Sequence, residues 1–219
     1  MNKLLSDKKN LNGSTLLIGA TGKIGQHVTS MLSKTDHSLI AMVRQHSNTF
    51  NQRVIQRKGD LEHNIESAMT GCKQVIFSAG SGADSGFDKT LLIDLWGARK
   101  VIDAAKKFNI EHFIMISSRG ADNPDNGPQA IKPYLVAKHF ADEYLLQSGL
   151  PYTILRPGRL TDEIGTGCVN SVRSDNPADD IIAREDVAKT IIHCLYKTAP
   201  HQSIVELYQG HKSIENIFS

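Results

Sequence analysis

The sequence predicts an α/β fold, a doubly wound parallel sheet in a single domain with a small substrate region at its C-terminal end. Short apolar runs alternate with longer segments of helical period, which is typical of repeated βαβ units. Several of these runs are apolar on both faces, so helices must cover both sides of the sheet. A chain of 219 residues with 40% hydrophobic content can bury one substantial core. We assign residues 14–219 to this domain and the polar, lysine-rich residues 1–13 to a mobile lead-in.

Local composition and periodicity predict the order of the elements. Strands are expected where β-branched and apolar residues cluster between turn residues, at 15–18, 38–43, 53–56, 74–78, 112–117, 152–155 and 204–208. Helices are expected at 24–33, 62–69, 88–108, 133–147 and 184–196. The helical spacing is plainest in the apolar face formed by Leu91, Leu92, Leu95, Ala98, Val101, Ile102 and Ala105. Trp96 on the same helix is expected to cover the sheet. The polar stretches 119–132 and 157–180 are predicted to be loops.

Charge and cysteine usage narrow the functional class. The formal net charge is +2, from 25 basic and 23 acidic residues, so we expect a small-molecule substrate rather than nucleic acid or a membrane. The three cysteines stand far apart and in no metal-binding spacing, which indicates no disulfide framework, no metal site and a reducing, cytoplasmic compartment. No apolar run approaches the roughly 20 residues of a membrane helix. The sequence does not indicate an oligomeric state.

The strongest local pattern is Gly19-Ala20-Thr21-Gly22-Lys23-Ile24-Gly25, which follows the first predicted strand and opens the first predicted helix. Glycine permits the tight turn and lets phosphates approach the backbone, while the helix N-terminus supplies free N–H groups and a positive dipole end. This placement predicts a Rossmann-type dinucleotide site. A glycine-rich turn without a ligand is the alternative. The predicted cofactor-binding residues here are Gly19, Thr21, Gly22, Lys23, Ile24 and Gly25.

The end of the second predicted strand bears on the choice between NADP and NAD. NAD-specific domains place an acid about 20 residues past the glycines, on the ribose 2′-hydroxyl. Here the chain carries Arg44, whose donors suit a 2′-phosphate, and Ser47, which adds a hydroxyl, so we predict NADP rather than NAD. A merely solvated arginine is the alternative. Asp60 and Leu61 are placed at the adenosine, although Asp60 could equally cap a helix that begins near Leu61.

Together these residues resemble the atypical branch of the short-chain dehydrogenase/reductase superfamily, whose small members are NAD(P)-binding and NAD-dependent epimerase/dehydratase-like. The likeness covers nearly the whole chain after Gly13. It rests on the glycine turn, Arg44, Gly59-Asp60, Ser78-Ala79-Gly80, Asp94-Leu95-Trp96-Gly97, Ile116-Ser117-Ser118, Tyr134-Leu135-Val136-Ala137-Lys138 and Arg156-Pro157-Gly158. The resemblance implies that Ala79 and Gly80 lie along the cofactor ribose and that Pro157 and Gly158 lie near the nicotinamide.

Tyr134 and Lys138 are the candidate catalytic pair, because a spacing of four puts both side chains on one helix face. The resemblance assigns the tyrosine as proton donor or acceptor and the lysine as a ligand of the nicotinamide ribose. A tyrosine with an ordinary pKa of about 10 needs such a cation to exchange protons at neutral pH. Ser118, preferred to Ser117, would hydrogen-bond the substrate oxygen. An exposed pair on an amphipathic helix is the alternative.

The remaining position of the family's active site holds Asp94 in place of the usual asparagine. Asp94 joins the catalytic candidates. In the family a water-bridged proton relay passes through the asparagine, so the acid at this position puts that relay in question. Three functions are considered: an NADP(H)-binding oxidoreductase of small carbonyls or alcohols, a non-catalytic NADP(H)-sensing module, and an epimerase or dehydratase. The short chain after the sixth predicted strand leaves little room for a sugar-binding lobe, which favours the first function over the third.

Overall fold

The computed structural model describes residues 13–82, 85–196 and 202–218, and it has the predicted α/β fold. The predicted lead-in, residues 1–13, lies outside the described residues except for Gly13. Among the described residues, no helix combines the length and the apolar character needed to cross a bilayer. The cysteine thiols of Cys72, Cys168 and Cys194 are all free.

The strands form one large sheet and one short pair. In chain order the strands are β1 Ser14–Ile18, β2 Leu39–Val43, β3 Ile55–Lys58, β4 Cys72–Phe77, β5 His112–Ile116, β6 Tyr152–Pro157, β7 Arg159–Thr161, β8 Cys168–Asn170, β9 Ile181–Ala183, β10 Ser203–Gln209 and β11 Lys212–Ser213. Within the described residues the large sheet has nine strands, in the order β11-β8-β10-β6-β5-β4-β1-β2-β3. The run from β10 to β3 is parallel, whereas β8 and β11 extend its edge antiparallel. Strands β7 and β9 pair separately.

Helices cover both faces of the sheet, as the doubly wound prediction requires. They are α1 Lys23–Leu32, α2 Glu66–Met69, α3 Phe87–Lys89, α4 Ala98–Lys107, α5 Lys132–Leu146 and α6 Arg184–Tyr196, with a π-helical segment, Thr90–Gly97, joining α3 to α4. Helices α2, α4 and α5 bury their apolar residues in one core, and α1 and α6 bury theirs in the other. Alternate residues of β1 divide between the two cores: Leu16 and Ile18 face the first, and Leu17 faces the second.

The position of β1 in the sheet determines where a ligand can bind. The chain builds outward from β1 in both directions, because β1 pairs with β2 on one side and with β4 on the other. Helices that follow β1 and β4 therefore diverge to opposite faces, which opens a crevice at the carboxyl ends of these strands. Ile18 and Phe77, the last residues of the two strands, are partners in the register.

Several predicted boundaries are wrong for reasons that local sequence does not reveal. Helix α2 begins at Glu66 rather than at residue 62, and β3 is shifted two residues along the chain from its predicted start at 53. The stretch 157–180, predicted as a loop, contains β7 and β8. In a strand of three residues the alternation of apolar and polar side chains is too short to be recognised. Strand β7 pairs with β9, and β8 pairs with β10 and β11, which are all distant in the sequence.

The apolar face predicted for residues 91–105 is correct only in its second half. Leu91 and Leu92 are 54% and 40% exposed, and Trp96 is 47% exposed rather than packed on the sheet. The π-helical segment explains the error, since its wider winding breaks the regular spacing of an α-helix. As a result the polar residues Thr90 and Asp94 are the ones that turn inward, and both are buried.

Candidate active site

Close backbone packing against the end of β4 shapes the glycine turn. Gly19 has a φ of +89°, and a Cβ there would lie 2.6 Å from Ser78 O and from Ala79 N. A Cβ at Gly25 would lie 2.2 Å from the carbonyl oxygen of Gly19, so α1 can pack on the turn only with glycine at this position. Gly22 is less constrained, since its added Cβ would meet that same oxygen at 3.3 Å. The turn therefore requires glycine at positions 19 and 25.

The N-terminus of α1 is open to an anion. Its N-cap residue is Gly22, so no side chain caps the helix, and the first turn contains no acid. The first N–H groups of a helix lack partners within the helix and carry the positive end of its dipole. These two features together make the turn suitable for a phosphate.

A cavity of about 460 Å³ lies beside this turn, at the carboxyl ends of β1, β2 and β4. The predicted cofactor residues that line it are Gly19, Thr21, Gly22, Arg44, Asp60, Leu61, Ala79 and Gly80. Ser78 lines it as well, and its hydroxyl oxygen is buried with no hydrogen-bond partner among the described residues. A buried hydroxyl without a partner costs free energy, so Ser78 is suited to a ligand that supplies the missing hydrogen bond.

Arg44 lies where this cavity meets a further pocket of about 420 Å³, which Lys58 and His63 also line. The guanidinium of Arg44 is exposed, and within the described ranges no hydrogen bond or ion pair engages it. Two basic side chains, Arg44 and Lys58, thus border one pocket that opens from the larger cavity.

The carboxylate of Asp60 contacts neighbouring residues of its own turn. Its Oδ1 accepts the backbone N–H of Glu62 at 3.0 Å, and its Oδ2 lies 3.2 Å from Nδ1 of His63. The hydrogen bond from Glu62, aided by His63 and the charge of Arg44, holds the pKa of Asp60 below its usual range. Asp60 therefore caps this turn, and the alternative of a helix cap near Leu61 is wrong because α2 begins later.

Two predicted cofactor residues, Gly25 and Ser47, line neither of these cavities nor the larger one described next. Gly25 is buried, and its role is the packing of α1 on Gly19. The backbone N–H of Ser47 donates to Gln56 Oε1 at 2.9 Å, and its hydroxyl lies 2.8 Å from Oγ1 of Thr49. The structure does not bring Ser47 to the cavity beside Arg44.

A larger cavity, of about 630 Å³, adjoins the first and shares Gly22 and residues 78–81 with it. It is lined by all the candidate catalytic residues and by the other predicted cofactor residues: Asp94, Ser118, Tyr134, Lys138, Lys23, Ile24, Pro157 and Gly158. The two cavities form one groove along the carboxyl edge of the sheet. The glycine turn borders both halves, and the tyrosine–lysine pair lies in the larger half.

Lys138 is a buried cation that contacts polar groups and aromatic rings. Its Nζ donates to the carbonyl oxygen of Ile116 at 2.9 Å and lies 3.3 Å from Asp94 Oδ1. It also lies 5.8 Å from the centre of the Tyr134 ring. Burial alone would lower the pKa of Lys138, but the charges of Tyr134, Asp94 and Asp142 outweigh it and raise the pKa. Lys138 is therefore a cation at neutral pH.

The π-helical segment places the carboxylate of Asp94 beside Lys138. The carboxylate of Asp94 is fully buried, and its Oδ2 accepts the backbone N–H of Ser81 at 2.9 Å. Gly80 lies close by, since a Cβ there would be 3.1 Å from Asp94 Oδ1. Asp94 is thus the counter-ion of Lys138 and also fixes the loop after β4, a role that a proton relay does not require.

The two serines at the end of β5 have different surroundings, although both line the larger cavity. The hydroxyl of Ser117 is buried and donates to Asp142 Oδ2 at 2.9 Å. Arg156 Nε donates to the same oxygen at 3.0 Å. Burial raises the pKa of Asp142, against the effects of Ser117 and Arg156. Ser118 is half-buried and donates to the carbonyl oxygen of its neighbour Arg119 at 3.1 Å.

Comparison with known proteins shows the family of the chain. A family model described as NAD(P)H-binding matches residues 19–198 of the chain, which include the glycine turn and the tyrosine–lysine pair. The chain belongs to this NAD(P)H-binding family. The recognition of an epimerase-like member of the short-chain dehydrogenase/reductase superfamily is confirmed, and a nicotinamide cofactor follows from the family.

Three relatives of this NAD(P)H-binding protein are similar over most of its length. YhfK of Bacillus subtilis, described as an uncharacterized sugar epimerase, is 43% identical over 201 residues, which cover 89% of this chain and 93% of YhfK. A Bacillus halodurans structure, described as a candidate NAD-dependent epimerase/dehydratase, is 38% identical with a TM-score of 0.88 and covers 94% of this chain and 98% of its own. The oxidoreductase YlbE of Lactococcus lactis is 30% identical with a TM-score of 0.81, over 93% and 94% of the two chains.

The residues present fit a nicotinamide dinucleotide. The uncapped start of α1 suits the pyrophosphate, and the unpartnered hydroxyl of Ser78 lies between the two cavities. Lys138 is held as a cation at the larger cavity, where the resemblance places the nicotinamide ribose. Across the described ranges no group of His, Cys, Asp or Glu side chains is placed to hold a metal ion.

Sequence reasoning missed several residues of the site. Ser78 and Arg184 line the groove, and Asp142 supports it through Ser117. One signal was available for Asp142, because it follows Lys138 by the same spacing of four that joins Tyr134 to Lys138. Arg184 carries no such signal, since β9 brings it to the cavity from a distant part of the chain.

Substitutions in the glycine turn should separate folding from cofactor binding. In Gly25→Val the added side chain collides with backbone, so we expect a loss of about 1–3 kcal/mol in the free energy of unfolding. Gly22→Val should melt near the wild type but lose the stabilisation by NADPH, which is about 2.7 kcal/mol at a concentration 100 times Kd. Thermal melts with and without NADPH measure both effects. A Gly22→Val protein that keeps the full NADPH-induced shift would contradict the placement of the pyrophosphate.

Proposed function

We propose that the protein is an NADP(H)-dependent oxidoreductase that interconverts a small carbonyl compound and its alcohol. The observation that carries this proposal is the position of Tyr134 and the buried cation Lys138. Both line the larger cavity, which continues from the cavity at the glycine turn. A proton donor and a cation beside a nicotinamide site are the groups that carbonyl reduction requires.

Each residue has a distinct part in this reaction. A bound nicotinamide would supply the hydride for the carbonyl carbon, and the alcohol and the oxidised cofactor would be the products. Tyr134 gives its hydroxyl proton to the carbonyl oxygen, and Lys138 stabilises the phenolate that remains. Ser118 donates a hydrogen bond to the same oxygen, and solvent returns the proton to Tyr134. Asp94 keeps Lys138 in place and charged.

The preference for NADP(H) is proposed from the pocket that Arg44 and Lys58 border. Arg44 follows β2 directly, and no acid occupies the position where NAD-specific domains bind the ribose hydroxyls. A 2′-phosphate would meet two exposed basic side chains there, and the guanidinium of Arg44 offers a planar set of donors.

Arg44→Ala should reduce NADPH affinity by about tenfold to a hundredfold, because it removes a charge-assisted contact to phosphate, while NADH affinity should change little. Calorimetric titration of both cofactors into each protein measures the difference. Arg53→Ala is a matched control, since Arg53 is also exposed but lines none of the three cavities described above. Equal affinity of the wild type for NADPH and NADH would refute the proposed preference.

An epimerase or dehydratase is the second candidate, favoured by the description of YhfK as a sugar epimerase. Such enzymes return their cofactor to its starting oxidation state in each turnover, whereas a reductase consumes it. Single-turnover absorbance of bound NADPH, mixed with a panel of aldehydes, ketones and quinones, therefore distinguishes the two. We expect stoichiometric oxidation with at least one acceptor. If no acceptor oxidises NADPH, the epimerase or dehydratase and the cofactor-sensing module become the better accounts.

A further inference from the structure

Three large apolar side chains form part of the wall of the larger cavity. Phe87 at the start of α3, Ile131 in the turn before Tyr134, and Leu160 in β7 all line it. Phe87 and Ile131 are 53% and 44% exposed, and nothing in the described part of the chain covers them. Two large apolar side chains from separate segments, held at the mouth of one cavity, are a feature of a site that binds an apolar ligand.

The basic side chains that line the same cavity already have carboxylate partners. Lys23 and Arg184 each lie 2.5 Å from an oxygen of Asp162, and Lys138 pairs with Asp94. Asp162 serves two cations, so one positive charge is left over. Lys23 begins α1 beside the glycine turn, and there the cofactor's own pyrophosphate would neutralise that charge.

A sugar nucleotide would suit this cavity poorly. Its diphosphate carries two further negative charges, which need cations that the lining does not offer, and its sugar hydroxyls would find no hydrogen-bond partner on the side chains of Phe87, Ile131 and Leu160. An uncharged carbonyl compound has neither requirement. Its single oxygen needs the hydroxyls of Tyr134 and Ser118, and its body needs an apolar wall.

We propose that the substrates are small, uncharged carbonyl compounds with an aromatic body, such as aryl ketones and quinones. The ring lies against Phe87 and Ile131 while the carbonyl oxygen points to Tyr134. This inference rests on the proposed function for its chemistry, but it makes a separate claim about binding that can be measured without turnover.

The test is calorimetric titration of acetophenone and of UDP-glucose into protein loaded with NADP⁺, in which carbonyl reduction cannot occur. We expect acetophenone to bind, and Phe87→Ser and Ile131→Ser each to weaken its affinity by about fivefold to tenfold, because each removes apolar contact. Phe87→Leu should retain most of the affinity. The matched controls are Phe140→Ser and Ile204→Ser, which alter equally exposed apolar residues outside the cavity, 53% and 41% exposed, and should leave affinity unchanged.

The outcomes distinguish this inference from the proposed function. Tight binding of UDP-glucose without binding of acetophenone would overturn the inference and favour the epimerase. The inference would also be overturned if Phe87→Ser and Ile131→Ser bound acetophenone as tightly as their control variants. Binding of acetophenone that depends on Phe87 and Ile131, in a protein that never oxidises NADPH, would support the inference about the ligand. The same result would remove the proposed reductase function.

Discussion

Lys138→Met is expected to abolish turnover, weaken NADPH binding and destabilise the fold, because one change removes the proposed ribose ligand, the proposed partner of the phenolate and the counter-ion of a buried acid. Asp94 would be left fully buried without its cation. Breaking a buried ion pair in this way costs about 3–5 kcal/mol. Urea denaturation measures the stability, and calorimetry measures the affinity for NADPH.

A second substitution separates the structural part of this effect from the catalytic part. Adding Asp94→Asn to Lys138→Met removes the unpaired charge and keeps an oxygen for the Ser81 N–H, so stability should recover while turnover stays lost. Asp94→Asn alone should lower turnover, since Lys138 would lose its counter-ion. If Lys138→Met were as stable as the wild type, the ion pair would not have the importance that we assign to it.

Tyr134→Phe should reduce turnover by about 10² or more, the usual contribution of a general acid, and leave NADPH affinity unchanged. The structure gives the Tyr134 hydroxyl no hydrogen bond to another described residue, so its removal should not disturb packing. The matched control is Tyr144→Phe, the same change on the same helix, where the hydroxyl donates to Asp103 outside the cavity. Stopped-flow absorbance of bound NADPH compares the three proteins. A wild-type rate in Tyr134→Phe would remove the tyrosine from the mechanism.

The sequence is sufficient to predict the features that depend on neighbours along the chain. The glycine turn must follow a strand and open a helix, and the spacing of Tyr134 and Lys138 places them on one face of α5. Both patterns have local physical causes, namely the close backbone contacts at Gly19 and the helical period.

Features that depend on distant contacts could not be predicted in this way. The pairing of Asp94 with Lys138 requires the π-helical winding, and the expected α-helical period instead placed Leu91 and Leu92 inward. The apolar mouth likewise combines Phe87 and Ile131 from separate segments, and neither residue belongs to a motif. These contacts hold the lysine and form part of the wall of the larger cavity.

The most direct test of the proposed reaction uses NADPH that carries deuterium at the transferable position of the nicotinamide. The wild-type protein is incubated with this cofactor and the acceptor that oxidises it fastest, and mass spectrometry analyses the product. We predict that one deuterium moves to the carbonyl carbon of the product, at a rate that Tyr134→Phe lowers by about 10². An unlabelled product, or a product formed while the cofactor stays reduced, would contradict the account.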